Sequence, residues 1–161
     1  MKSSRLLILN LGCGNRKGEG EIGLDIQPPA DVIWNLNEHP LPFSDGEFSE
    51  IRAFHVLEHF GKQGDFKFFF EEWNEYYRIL EDGGIFHGIV PQWNGIWAFG
   101  DPGHVRVLPS AILTYLIQGE YDIQVGVTGM TDYRKWYSGN FEILSCVDMN
   151  DGNLDFVLRK K

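Results

Sequence analysis

Cysteine is scarce: the 161 residues hold two, Cys13 inside a glycine turn and Cys146 near the C-terminal end. Two cysteines so placed form neither a disulfide framework nor a paired-cysteine metal knuckle, and they suit a reducing, cytoplasmic setting. Positive charge is also in deficit. The 14 Lys plus Arg stand against 23 Asp plus Glu, for a formal net charge of -9, and such a surface repels the phosphate backbone of DNA or RNA. Nucleic acid is therefore not an expected partner. Long apolar runs are missing too, since no segment nears the ~20 residues of a membrane span. The first one, Leu6-Leu7-Ile8-Leu9, is shorter than a signal-peptide core and leads straight into Asn10-Leu11-Gly12, so it reads as a buried strand.

What remains is the composition of a globular fold. Hydrophobic residues make up 43% of the chain, enough for one substantial core. No repeat, linker or low-complexity tract divides residues 1–161, so a single domain is expected. Arg5–Leu11 is an apolar run ended by Gly12, the pattern of a central parallel strand covered on both faces. Ile22–Ile26, stopped by Gln27-Pro28-Pro29, and Asp31–Leu36 follow as brief strands, and the turn Ser44-Asp45-Gly46-Glu47 introduces a fourth over Phe48–Val56.

Phe66, Phe69, Phe70, Trp73, Tyr76, Tyr77 and Leu80 recur at steps of three and four, with Lys67, Glu71, Glu72, Glu75 and Arg78 on the other side. This periodicity predicts an amphipathic helix over Gly64–Leu80, ended by a left-handed glycine in Glu81-Asp82-Gly83-Gly84. Ile85–Val90 is a fifth strand stopped by Pro91, and a helix between two strands implies a parallel crossover. Gln92–Leu108, aromatic and glycine-rich without a period, reads as a long loop, and Pro109–Gln118 as another helix. Phe141–Asp148 and Leu154–Arg159 are predicted to close the fold as an antiparallel hairpin around Asn150-Asp151-Gly152-Asn153.

Gly12 and Gly14 carry no side chains that would keep a ligand from the carboxyl end of the first strand. A dinucleotide fingerprint needs a third glycine three residues after the second, where Lys17 stands, and a helix N-terminus facing the pyrophosphate. Only Cys13–Glu21 separates the first two strands, too little for a full helix. These shortfalls argue against a nucleoside diphosphate but not against S-adenosylmethionine, which has no phosphate. Asp25 ends the second strand, where a carboxylate accepts both ribose hydroxyls and favours a sulfonium cation. An ordinary glycine loop with a capping aspartate is the alternative.

The wider chain resembles class I S-adenosylmethionine-dependent methyltransferases. The likeness rests on LNLGCG at Leu9–Gly14, GLDI at Gly23–Ile26, DVIWNLN at Asp31–Asn37, LPFSDGEFSEIRAFHVLEH at Leu41–His59 and RILEDGGIFHGIVP at Arg78–Pro91. It implies an α/β fold: a Rossmann-like three-layer sandwich with a mostly parallel seven-stranded sheet of order 3-2-1-4-5-7-6, a C-terminal antiparallel hairpin and some helices trimmed. It also implies that the turn Leu11-Gly12-Cys13-Gly14-Asn15 holds the cofactor, with backbone around Gly12 and Gly14 against its methionine part. Asp25 would take the ribose with Ile26 beside it, Asn35 and Leu36 the adenine, and His55 and Val56 would border the methionyl group. S-adenosylhomocysteine would be the product. Asn10, Arg16 and Asn35 depart from the residues commonest in the family at those places.

His55-Val56-Leu57-Glu58-His59 matches a zinc-peptidase spelling in which two histidines lie one helical turn apart. Its first residues belong to a strand end and no third ligand stands out, so no metal is assigned. Within the methyltransferase likeness, His59 is a candidate general base and Glu58 a substrate contact, the alternative being that they cap backbone or pair together. In the loop after the fifth strand, Asp101 and His104 are candidate proton acceptors, Arg106 a hold for an anionic substrate group, and Trp93 and Trp97 an apolar or sugar-stacking wall. An Asp101–Arg106 ion pair pinning the loop is the structural alternative. His87 reads as a satisfied core histidine and His39 as a loop residue, while Tyr133, Trp136 and Tyr137 form either a lid or a cover for the sheet edge.

Methyl transfer from a sulfonium is an in-line displacement, so a protein needs chiefly to align the acceptor and, for a hydroxyl, to take its proton. The expected acceptor is a hydroxyl of a small molecule or glycan. The other possibility is a catalytically silent cofactor-binding module working with a protein partner, or as a homo-oligomer.

Overall fold

The computed structural model describes residues 6–161; Arg5, expected in the first strand, lies outside them. Seven strands form one sheet in the order β3-β2-β1-β4-β5-β7-β6. They are β1 (Ile8–Leu11), β2 (Glu21–Asp25), β3 (Val32–Ile33), β4 (Phe48–Phe54), β5 (Leu80–Pro91), β6 (Phe141–Asp148) and β7 (Asn153–Lys160). β1 to β5 run parallel, and β7 is antiparallel to both β5 and β6. The sheet order and the closing hairpin are those expected.

The differences are local and have local causes. β3 stops at Ile33 because the Trp34 N–H goes to Asp25 O and the Glu38 N–H then closes a turn onto Asn35 O. β4 stops at Phe54 because His55 turns into the left-handed region (φ 53). Helix α1 (Phe66–Ile79) begins where the Asp65 carboxylate accepts the Phe68 N–H, an N-cap. No glycine ends it. Leu80 takes extended angles and starts β5 directly, while Gly83 (φ 79) lies in an irregularity of the β4–β5 ladder between the Phe48 and Glu50 pairings. The segment read as a long loop contains helix α2 (Ile96–Gly100), and the helix expected at 109–118 is a 3-10 helix, Ser110–Leu116, followed by α3 (Gln118–Gln124).

α1 lays Phe69, Phe70, Trp73, Tyr76 and Ile79 into the main core. Trp73 sits 4.8 Å from Phe86 of β5, edge-on to Phe141 of β6 at 5.8 Å, and Phe86 stacks on Phe156 of β7. Tyr137 is buried against Phe70 and Tyr133 packs on Phe66 and Phe70, so this aromatic group extends the core around α1. Glu72, expected on the outer side of the helix, is fully buried.

The opposite face of the sheet differs. Among the described residues no helix lies in the β1–β2, β2–β3 or β3–β4 links. Glu50, Arg52, Phe54, His87 and Asp155 there are half-buried, and they pair: Arg52 with Glu50 and Glu21, His87 Nε2 with Asp155 Oδ1 at 3.1 Å. Trimmed helices therefore leave alternating strands where a fully covered sheet would show continuous apolar runs.

Candidate functional site

The glycine turn leaves the carboxyl end of β1 with Gly12 at φ 60 and Gly14 at φ 49. A Cβ on Gly12 would lie 2.2 Å from Val56 Cγ2, so this position needs glycine for both conformation and space. Gly12→Ala is expected to destabilise the fold by about 2 kcal/mol, the left-handed penalty and the Val56 clash acting together. A urea midpoint equal to that of the parent protein would refute this. Nothing lies within 4 Å of a Cβ built on Gly14, so the space above the turn is open. Cys13 is buried, and burial followed by the nearby Asp25 charge pushes its thiol pKa up, which keeps it neutral.

Asp25 ends β2 beside this opening. Its Oδ2 accepts the Gly14 N–H at 2.9 Å and its Oδ1 the Ile26 N–H at 2.7 Å, which leaves each oxygen a further lone pair. Ile26 is 66% exposed, an apolar surface next to the carboxylate. Asn15 is exposed and Asn35 half-buried, its Oδ1 taking the Asn37 N–H. The Leu36 side chain is buried in the core, so the adenine contact expected there falls to its backbone. The residues that depart from the family pattern have structural work. Asn10 Nδ2 donates to Glu21 Oε2 and to Arg16 O beneath the turn, and Lys17 Nζ pairs with Asp31 at 2.7 Å.

Val56 links the turn to a second group of side chains. His55, Glu58 and His59 surround the 3-10 turn Leu57–His59 that follows β4. The five residues of the HVLEH spelling do not share one helix, so the peptidase geometry is absent. Chain pairing brings the post-β5 loop alongside: Val105 N–H donates to Glu58 O and Gln63 N–H to Val105 O. His104 thereby reaches Glu58, with Asp101 on His104. His104 Nε2 lies 3.9 Å from Glu58 Oε1 and 3.8 Å from Asp101 Oδ2, and His59 and His104 rings meet edge-on at 4.7 Å. Glu58 is 2% exposed and neither carboxylate oxygen has a hydrogen-bond partner. It holds the His55 imidazolium above its ordinary pKa from 3.7 Å, against the opposing effect of partial burial.

Backbone carbonyls set the histidine tautomers. His59 Nδ1 is 3.1 Å from Gly103 O and His104 Nδ1 is 2.6 Å from Trp97 O. A carbonyl only accepts, so both Nδ1 atoms carry a hydrogen and Nε2 is the ring nitrogen each histidine turns toward other partners. Asp101 Oδ1 accepts the Gly103 N–H at 2.7 Å, which shapes the loop.

Arg106 is a correction. It is 6% exposed, its Nε donates to Leu57 O at 2.7 Å and its Nη2 to Glu72 Oε1 at 2.9 Å, so it neither faces solvent to hold an anion nor pairs with Asp101. Glu72 falls on the polar side in a helix projection; the partner that draws it inside lies 34 residues away, beyond the reach of periodicity. Trp93 and Trp97 are largely exposed with Ile96 and Phe99, forming an open apolar edge rather than a closed wall.

No family model matches the chain, and no curated protein matches it in sequence. Solved structures do match. A SAM-dependent methyltransferase from Archaeoglobus fulgidus aligns with 97% of this chain and 86% of its own at 16% identity, TM-score 0.57. A putative methyltransferase solved in complex with the Haloferax volcanii Trm112 methyltransferase activator aligns with 95% and 81% at 14% identity, TM-score 0.57. The cyclase SpnF aligns with 96% and 74% at 14% identity, TM-score 0.60. Identities this low, with a cyclase among them, speak to architecture and leave the reaction to the site. The chain has the fold of class I S-adenosylmethionine-dependent methyltransferases.

Proposed function

We propose that this chain is an S-adenosylmethionine-dependent methyltransferase, a single domain working in the cytoplasm, that transfers the methyl group to a hydroxyl of a small molecule or glycan. One observation carries the proposal: the open turn at Gly14 and the Asp25 carboxylate share a hydrogen bond at the carboxyl edge of β1 and β2, beside the His–Glu–Asp group. The residues fit the cofactor. Asp25 retains acceptor capacity for two ribose hydroxyls, Ile26 offers an apolar surface, Asn35 retains a partly accessible amide, and the carboxylates nearby favour a sulfonium.

The cofactor, when bound, supplies an electrophilic methyl group. The chain's own residues align the acceptor and take its proton. His104 Nε2 carries a lone pair, and the imidazolium formed by a proton there faces Glu58 and Asp101 at 3.9 and 3.8 Å. His59 offers a second lone pair on the exposed side. The acidic surface and the lack of a membrane-crossing helix among the described residues accord with a water-borne acceptor. The exposed edge of Trp93, Ile96, Trp97 and Phe99 favours a second reading, a cofactor-binding module that works against a protein partner or a second copy.

Calorimetry with S-adenosylhomocysteine, followed by labelled methyl transfer across hydroxylated small molecules and glycans, tests both. Micromolar binding with transfer is expected. Binding without transfer to any acceptor favours the module, and no binding overturns both.

A further inference from the structure

Glu58, His59 and His104 place one donor atom each within 4.8 Å of one another. Three independent features make this more than proximity. The Glu58 carboxylate is 2% exposed and neither oxygen accepts a hydrogen bond, the His55 Nδ1 standing off at 3.7 Å, although a buried carboxylate without close donors is strongly disfavoured. Each histidine gives its Nδ1–H to a backbone carbonyl, Gly103 O or Trp97 O, the outer-shell arrangement that orients metal-bound imidazoles and leaves Nε2 as the donor. The two rings are edge-on at 4.7 Å, close to the roughly 5 Å expected for two imidazoles bound side by side to one ion through nitrogens at about 2.1 Å.

We propose that Glu58, His59 and His104 bind a divalent first-row transition-metal ion, with Asp101 as an outer carboxylate. Without a cation, His104 Nε2 stands 3.9 and 3.8 Å from the Glu58 and Asp101 carboxylates, beyond hydrogen-bond distance of either. An ion at that point satisfies all three, and two nitrogens with one carboxylate are a donor set suited to zinc, cobalt or iron rather than calcium or magnesium. With three protein ligands, at least one coordination position stays open, and the exposed side of His59 gives an acceptor oxygen a way in. Once loaded, the ion occupies the His104 lone pair, and Asp101, 45% exposed at its side chain, is the remaining carboxylate for an acceptor proton. Metal binding is independent of whether methyl transfer is the reaction.

The zinc spelling read from sequence made His59 a ligand with His55, and Glu58 the group that activates water. His55 Nδ1 instead lies 3.7 Å from Glu58 Oε1, and the other histidine of the group comes from a loop 45 residues after His59 that pairs with the 3-10 turn.

The test uses the untagged full chain, stripped with chelator and titrated with Zn2+ and with Co2+ by calorimetry, the Co2+ form also by visible absorption. One ion per chain at micromolar affinity or tighter is expected, with ligand-field bands for Co2+. Glu58→Gln, His59→Ala and His104→Ala should each weaken binding about a hundredfold or more, beyond the 10–100-fold typical of groups that only orient a ligand. His87→Ala, which alters the His87–Asp155 pair on the other face of the sheet, should bind as the parent does. His59→Ala guards against unfolding as the cause, since His59 is exposed, and its melting curve without metal should match the parent's. Absence of stoichiometric binding, or affinity unchanged in both His59→Ala and His104→Ala, overturns the site; the facing groups would then be reconciled by a proton on His104. Methyl-transfer assays play no part in these readouts, so their failure leaves the metal result standing.

Discussion

Arg106→Ala is expected to lower the unfolding free energy by about 3–5 kcal/mol, because it strands a carboxylate inside the protein. Glu72 is fully buried, and its oxygens take the Arg106 Nη2 at 2.9 and 2.8 Å and the Tyr76 hydroxyl at 2.9 Å. Burial, then the Glu72 charge, pushes the Tyr76 pKa up, so its hydroxyl stays a donor through the physiological range. Losing the guanidinium also removes the Nε–H that satisfies Leu57 O, in the turn that carries Glu58, and the cation 5.7 Å from the Phe68 ring. Urea unfolding reads the loss. The double variant Arg106→Met with Glu72→Leu should recover most of it, since replacing both buried charges by apolar groups of similar volume is often neutral. A loss below about 1 kcal/mol in the single variant would show that water or another partner compensates Glu72. Were Arg106 instead an anion hold, the same change would spare stability and weaken only substrate affinity.

Asp25→Ala is expected to weaken S-adenosylhomocysteine binding by about 3 kcal/mol, on the order of a hundredfold, through loss of two charge-assisted hydrogen bonds. The carboxylate also holds the Gly14 N–H at 2.9 Å, so the variant loosens the turn as well as the ribose contact. Asp25→Asn separates the two effects. The amide oxygen still accepts from Gly14, but its NH2 can accept neither a ribose hydroxyl nor the Ile26 N–H, so about tenfold weakening is expected with the Gly14 contact kept. Calorimetry with S-adenosylhomocysteine measures both variants. Parent-like affinity in Asp25→Ala would remove the ribose role from Asp25.

The glycine turn and the Asp25 carboxylate beside it were legible because they are built from local chemistry. Gly12, Gly14 and Asp25 serve through backbone angles and positions at strand ends, and both are written in short motifs. His59, His104 and Asp101 were legible only as separate candidates. Their meeting depends on Val105 pairing with the Glu58 carbonyl, a contact between segments 47 residues apart, for which no spacing rule exists. Arg106 was placed in the site by sequence position and moved out by packing, drawn inward by Glu72.

By itself, the sequence placed most of the strands, the crossover helix and the closing hairpin, since apolar period and glycine or proline punctuation encode what each short segment buries, while the strand order came from the resemblance to class I methyltransferases. It also determined, through Lys17 and the brevity of Cys13–Glu21, that no helix N-terminus faces the glycine turn. Only the tertiary structure decided where charges go. Whether Glu72 faces water or the interior is set by a partner 34 residues away, and burying a charge is an energetic choice made by the assembled fold rather than by any local period.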